Sequence, residues 1–280
     1  MKDMEKAVNR IKIAISKKQK ILIYGDYDVD GTTAVAMTYS FFKKYNTNIE
    51  YYIPCRYDEG YGISFKSIDY AFKNNFSLII ALDCGIRDLE KIDYAKNKKI
   101  DFIICDHHNP SKNTPKAVAV LNPKQFDCTY PYKELSGCGV GFKLIQAYCI
   151  ESNIAFEELT EYLDLLTISI GADIVPVNGE NRILAFYGLK QINTNPRSGI
   201  KALIEISCKN TDINMSDIVF GIAPRINAAG RIKHAKKAVE ILVETDYNKA
   251  KLLGLGIEEN NITRKKLDQS ITKEALQMID

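Results

Sequence analysis

The chain has 280 residues, 46% hydrophobic and 26% charged, with a net charge of +3, an ordinary balance for a soluble globular protein of one large or two smaller domains. The charge is too slight to argue nucleic-acid binding by itself, and no run approaches the roughly eighteen apolar residues that span a bilayer. Seven scattered cysteines without a C-x-x-C pair, and a charged N-terminus without an apolar signal core, set aside a disulfide scaffold and a secreted chain and point to the cytoplasm.

In chain order, residues 4–18 read as an amphipathic helix with Val8, Ile11 and Ile15 at helical spacing. Apolar runs of strand length follow at 21–24, 48–53, 77–82, 101–105 and 118–121. They alternate with helical segments at 32–45, 65–74 and 89–98. Such alternation predicts an α/β fold, a parallel sheet covered by helices on both faces. From residue 141 onward the pattern is mostly helical: 141–152, 156–170, 180–193, 199–206 and 235–244. A last helix over 247–280 carries Leu252, Leu255, Ile262, Leu267 and Ile271. The predicted division is a catalytic domain over 1–245 and a connecting helix over 246–280.

The chemistry concentrates where strands end. Asp26, Asp28 and Asp30 follow the first strand, Asp83 the third and Asp106-His107-His108 the fourth, and Asp173 interrupts the apolar run LDLLTISIGADIVP. In open α/β sheets ligands bind beyond the carboxyl ends of the strands. If the backbone from Asp26 to Asp30 is extended, the three carboxylates crowd one face. Each aspartate alone reads as a turn or cap residue. Four segments delivering carboxylates and imidazoles to one region instead call for cations. Mixed oxygen and imidazole donors suit Mn²⁺ or Mg²⁺ better than structural zinc. A zinc site on Cys84, Cys105 and His107 would leave the aspartates unexplained. Two such ions would clamp a phosphoryl group and activate water, which is phosphoester or pyrophosphate hydrolysis.

The triplet Asp106-His107-His108, with GDYDVDGTTA, IPCRYDEGYG, LNPKQ, YPYKELSGCGVGFKL, GADIVPVNGENRILAFYGL and APRINAAGRI, resembles the DHH phosphoesterases and, among them, the RecJ family. The resemblance spans roughly residues 20 to 235. It implies a metal-dependent 5′-to-3′ exonuclease acting on single-stranded DNA in recombination and repair.

It also implies roles. Asp83 would bridge two ions, with Asp26 and Asp28 on one and Asp30, His107 and Asp173 on the other. His108 would lie near the scissile phosphate, with Asp106 orienting the histidines. Arg56 would bind phosphate near the 5′ end, and Arg225, Asn227 and Arg231 would either bind the nucleic-acid backbone or, some of them, brace their loop. Gly137, Gly139 and Gly141 could cradle phosphate, although a tight turn against the sheet is the better reading. RecJ proteins continue into a DHH-associated domain and usually an OB-type domain, and neither is visible in this sequence. The partners expected are therefore single-stranded DNA and a separate domain of that kind or a single-strand-binding protein, with no membrane. Within the superfamily, nanoRNA or cyclic-dinucleotide phosphodiesterases are the rival; these tend to carry a histidine ahead of the first aspartates, where this chain has Tyr24 and Gly25. A fragment or scaffold that binds DNA without activity is the other.

Overall fold

The computed structural model describes residues 1–207, 212–232 and 236–278, with the side chains of 231 and 232 outside the description. Five strands form one parallel sheet: β1 (Lys20–Gly25), β2 (Ile49–Tyr52), β3 (Phe76–Leu82), β4 (Asp101–Cys105) and β5 (Ala119–Leu121). Their order is β2-β1-β3-β4-β5. The chain thus leaves β1 to one side and returns on the other, which opens a crevice between the carboxyl ends of β1 and β3.

Side-chain alternation explains why these runs are apolar throughout. Ile21 and Ile23, Leu78, Ile80 and Leu82, and Ile103 and Cys105 belong to one core cluster; Leu22 and Tyr24, Ile79 and Ala81, and Phe102 and Ile104 belong to another. A strand covered on both faces has no polar side to show. The first cluster is closed by α1 (Met4–Ser16), α2 (Val29–Lys43) and α5 (Gly137–Glu151), the second by α3 (Phe65–Lys73) and α4 (Leu89–Asn97).

The remaining helices are α6 (Glu157–Thr160), α7 (Leu163–Ala172), α8 (Gly179–Thr194), α9 (Ser198–Ser207) and α10 (Met215–Asp217). A π-helical turn (Ile218–Ile222) then leads into α11 (Ala223–Ile232), α12 (Lys236–Val243) and α13 (Tyr247–Gln277). Helix α7 is buried from Leu163 to Gly171 and packs between α2 and α8. Its Asp164, wholly buried, receives two 2.8 Å hydrogen bonds from Arg197. Helix α13 packs through its small residues and leaves its periodic apolar ones outside. It buries Ala250, Gly254, Ile257 and Asn261, while Leu252, Leu255, Ile262, Leu267 and Ile271 are exposed. Small side chains at Ala250 and Gly254 allow close approach to α9, and the larger leucines point outward.

Helix α5 begins four residues before its apolar pattern, because Ser136 caps it: the Ser136 Oγ accepts from Gly139 N at 3.1 Å. Its first residue stands directly over the end of β3. A Cβ on Gly137 would lie 2.5 Å from the Asp83 Cβ and 2.8 Å from its Cα. Gly137, Gly139 and Gly141 form the first turns of a helix rather than the tight turn expected, and Gly137 serves the close packing on the sheet. Gly137→Ala should lower the urea midpoint by the equivalent of about 1–3 kcal/mol, since neither neighbour can yield. An unchanged midpoint would show that the helix can move off the strand.

Candidate metal centre

Strand β1 delivers Asp26 to the crevice fully buried. Its Oδ1 accepts from Tyr27 N at 2.7 Å, while Oδ2 is buried without a hydrogen-bond partner. The following aspartates do not continue an extended strand. Asp28 is the N-cap of α2, accepting from Gly31 N at 2.9 Å, and Asp30 lies in the first helical turn. The capping preference of aspartate overrides the period-2 pattern, so a bend rather than a pleat gathers these acids. Gly31 makes the bend possible, because a Cβ there would stand 2.5 Å from the Asp26 carbonyl oxygen.

Asp30 is held from the far side. Gly137 N donates to its Oδ2 at 2.6 Å, and Cys138 N and the Ser169 hydroxyl donate to its Oδ1 at 2.8 and 2.7 Å. The α5 N-terminus, a ready anion site, is thus occupied by the protein's own carboxylate rather than by a ligand phosphate.

Asp83 closes β3 with a left-handed backbone, φ 58°, which aspartate tolerates better than most residues. Its Oδ1 is buried and makes no hydrogen bond. After β4, the Asp106 Oδ1 accepts from His107 N, His108 N and His108 Nδ1 at 2.7, 3.0 and 2.8 Å, and its Oδ2 from Ile86 N at 2.9 Å. Asp106 thus ties the loop together and holds His108, the orienting role expected of it among the catalytic residues. Asn122 adds a 2.8 Å bond from its amide to the His108 carbonyl.

His107 is the hub. Its Nε2 lies 3.2 Å from Asp83 Oδ1, 3.5 Å from Asp173 Oδ2 and 3.7 Å from Asp30 Oδ2, yet neither ring nitrogen is hydrogen-bonded. Asp173 arrives as the C-cap of α7, the negative end of a helix. Among the described residues two donor groups result, Asp83-His107-His108 and Asp30-His107-Asp173.

Burial and mutual repulsion dominate the electrostatics. Burial and neighbouring carboxylates push Asp26 and Asp173 up to about 7. Burial, then Asp30, raises Asp28, and burial, then Asp30 and Asp28, raises Asp83 well above the usual range. Burial lowers His107, whereas the Asp106 hydrogen bond raises His108. Orphaned oxygen and imidazole atoms aimed at one another fit hard or borderline divalent cations. Cys84 and Cys105 are in neither group, and burial pushes both thiols up, away from the thiolate a zinc site needs.

The other expected residues divide. Arg56 is exposed in the loop after β2, its guanidinium 5.3 Å from the Tyr27 ring centre. It lines a cavity of about 300 Å³ with Tyr57, Glu59, Gly230 and Lys236. Arg225 is only 8% exposed; it bonds the Gly221 carbonyl at 2.7 Å and forms an ion pair with Glu258 of α13 at 2.5 Å. It braces α11 to α13, the second of the two readings the sequence left open, rather than pointing to a substrate. Asn227 is half-buried on α11, and the Arg231 side chain lies outside the described residues. Sequence reasoning missed Tyr61, whose hydroxyl lies 3.2 Å from His108 Nε2 and whose ring meets Tyr27 edge-on. It also missed Ser169. Neither residue has a charge or a spacing that marks it.

Asp26 and Asp173 hold protons more tightly in the folded chain than unfolded, where 3.8 is usual. The metal-free fold therefore binds extra protons between those values, and its stability falls as pH rises through that window. The melting temperature of chelator-treated protein should drop between about pH 5 and 7, and added Mn²⁺ should raise it more at the higher pH. A metal-free melting temperature that climbs over this range would contradict the assignment.

Residues 20–170 match the model of the DHH family, N-terminal domain. The single-stranded-DNA-specific exonuclease RecJ of Bacillus subtilis is 40% identical over 100% of this chain and 35% of its own length. RecJ of Escherichia coli is 35% identical over 99% of this chain and 50% of its own. The chain thus spans a third to a half of these curated relatives. A crystal structure of exonuclease RecJ bound to manganese superposes with a TM-score of 0.90 at 28% identity, covering 99% of this chain and 70% of that one. Parallel sheet, Asp-His-His loop and family match agree: this chain belongs to the DHH family, and its likeness to RecJ runs along its whole length.

Proposed function

We propose that the chain is the catalytic core of a RecJ-like, Mn²⁺- or Mg²⁺-dependent exonuclease that cleaves single-stranded DNA from the 5′ end. The carrying observation is the set of buried, unpartnered donors on Asp26, Asp83 and His107. Support comes from the relatives' names and from the manganese in the similar crystal structure. Asp30, His107 and Asp173 would hold one ion, Asp26 and Asp28 the other, with Asp83 between them. When bound, the ions supply Lewis acidity toward the phosphoryl oxygens and lower the pKa of water.

The protein's own groups do the rest. His108, whose pKa the Asp106 hydrogen bond raises and whose Nε2 lies against the Tyr61 hydroxyl, would stabilise charge at the phosphoryl group or assist the leaving group. Asp106 fixes its tautomer and orientation. Arg56, lying on Tyr27, binds a backbone phosphate. A cytoplasmic setting in recombination and repair fits six described cysteines that are all unpaired. The exposed leucines of α13 would be covered by a DHH-associated or OB-type domain, or a single-strand-binding protein.

Metal-loaded protein is incubated with 5′- and 3′-labelled single strands, duplex DNA and short oligoribonucleotides. Release of mononucleotides from the 5′ end of single strands is expected; preference for oligoribonucleotides would favour a nanoRNA phosphodiesterase. Asp83→Asn should lower kcat by about 10³-fold, the scale of metal-borne charge stabilisation. Arg56→Ala should instead raise KM by roughly tenfold with a small change in kcat, as loss of one charged phosphate contact predicts.

A further inference from the structure

Helix α7 ends in a way no other described helix does. Residues just past the ends of α1, α3, α4 and α5 are left-handed, and the chain places Lys18, Asn75, Lys99 and Asn153 there. The equivalent residue after α7 is Ile174, at φ 55°. A β-branched side chain is the poorest choice for that conformation, where glycine or asparagine is usual.

Packing does not justify it, because Ile174 is 82% exposed. Fold stability would be served on both counts by asparagine. The strain is held by neighbours. The Tyr132 hydroxyl donates to Asn178 Oδ1 at 2.9 Å, and the Asn181 amide donates to the carbonyls of Pro176 and Glu134 at 3.1 and 2.6 Å. Gly179, at φ 47°, lets the loop lie against the Tyr132 ring, where a Cβ would stand 2.6 Å from it. An over-determined loop that keeps a strained residue marks function more than fold. Asp173, the preceding residue, turns its carboxylate into the donor cluster, so Ile174 stands at the cluster's rim with its apolar side chain in solvent.

We propose that Ile174 is a specificity residue: an apolar platform for an unpaired base of the strand whose phosphate lies at the cluster, an inference that rests on the proposed exonuclease reading. Every base offers an apolar face, so such a platform selects nucleic acid over bare phosphodiester without choosing a sequence. It also favours a single strand, since paired bases keep their faces stacked.

The test compares the unaltered chain with Ile174→Gly and Ile174→Asn on a single-stranded oligodeoxynucleotide and on the same backbone made abasic. Rates are read with Mn²⁺ and affinities with Ca²⁺ in its place. The preference for the base-bearing strand, as a ratio of kcat/KM or of Kd, should fall about tenfold in both variants. Their melting temperatures should be no lower, because the left-handed strain is relieved. An unmoved ratio overturns the inference. So does equal loss on both strands, which would mean a displaced Asp173, or an unaltered chain without any preference. If the unaltered chain cleaves nothing, yet prefers the base-bearing strand and loses that preference on substitution, the platform stands and the exonuclease reading falls.

Discussion

Uncompensated negative charge at the carboxyl edge of the sheet is the constraint around which the rest is arranged. Asp30, Asp83 and Asp173 converge on one buried imidazole, and Asp26 and Asp28 lie close enough for the acids to raise one another. Carboxylates taken out of water beside one another either keep protons or gather cations. The chain tolerates this because strand order places the ends of β1 and β3 side by side, with β4 next to β3. Three sequence segments then meet without any long loop, and α7 brings a fourth.

The acids are not equivalent. Asp30 and Asp106 are satisfied by the protein itself, through the α5 N-terminus and Ser169 in one case and backbone amides of the Asp-His-His loop in the other. They give the cluster its shape. Asp26, Asp83 and His107 keep buried atoms without partners, and on the proposed reading they would give it its affinity for cations. Preorganised anchors beside unsatisfied donors make a metal site rigid before any metal arrives. Gly137 belongs to the same design, since any side chain there would push the anchoring helix off Asp83.

Much of this was legible in the sequence. The five strands and the helices between them followed from apolar runs and their period, and the acids could be placed because strand ends are legible. What failed was local chemistry that competes with period. Asp28 caps a helix instead of extending a strand, and Ser136 starts α5 among glycines. The π-turn and α11 carry small residues with no strong period, so spacing could not decide between a phosphate contact and a brace for Arg225, whose partner, Glu258, lies thirty-three residues away on α13. Long-range pairing of that kind leaves no trace in spacing. Tyr61 and Ile174 were hidden for another reason, since their meaning lies in a hydrogen bond and a backbone angle.

The central claim is that Asp83 stands between two cations held by the other acids and His107. Crystals of the chain grown with Mn²⁺ and measured at the manganese absorption edge test it directly. Two anomalous peaks per chain are expected, both within bonding distance of the Asp83 carboxylate, one beside Asp173 and His107 and one beside Asp26. A single peak, or a pair of peaks that leaves Asp83 unbound, would contradict it.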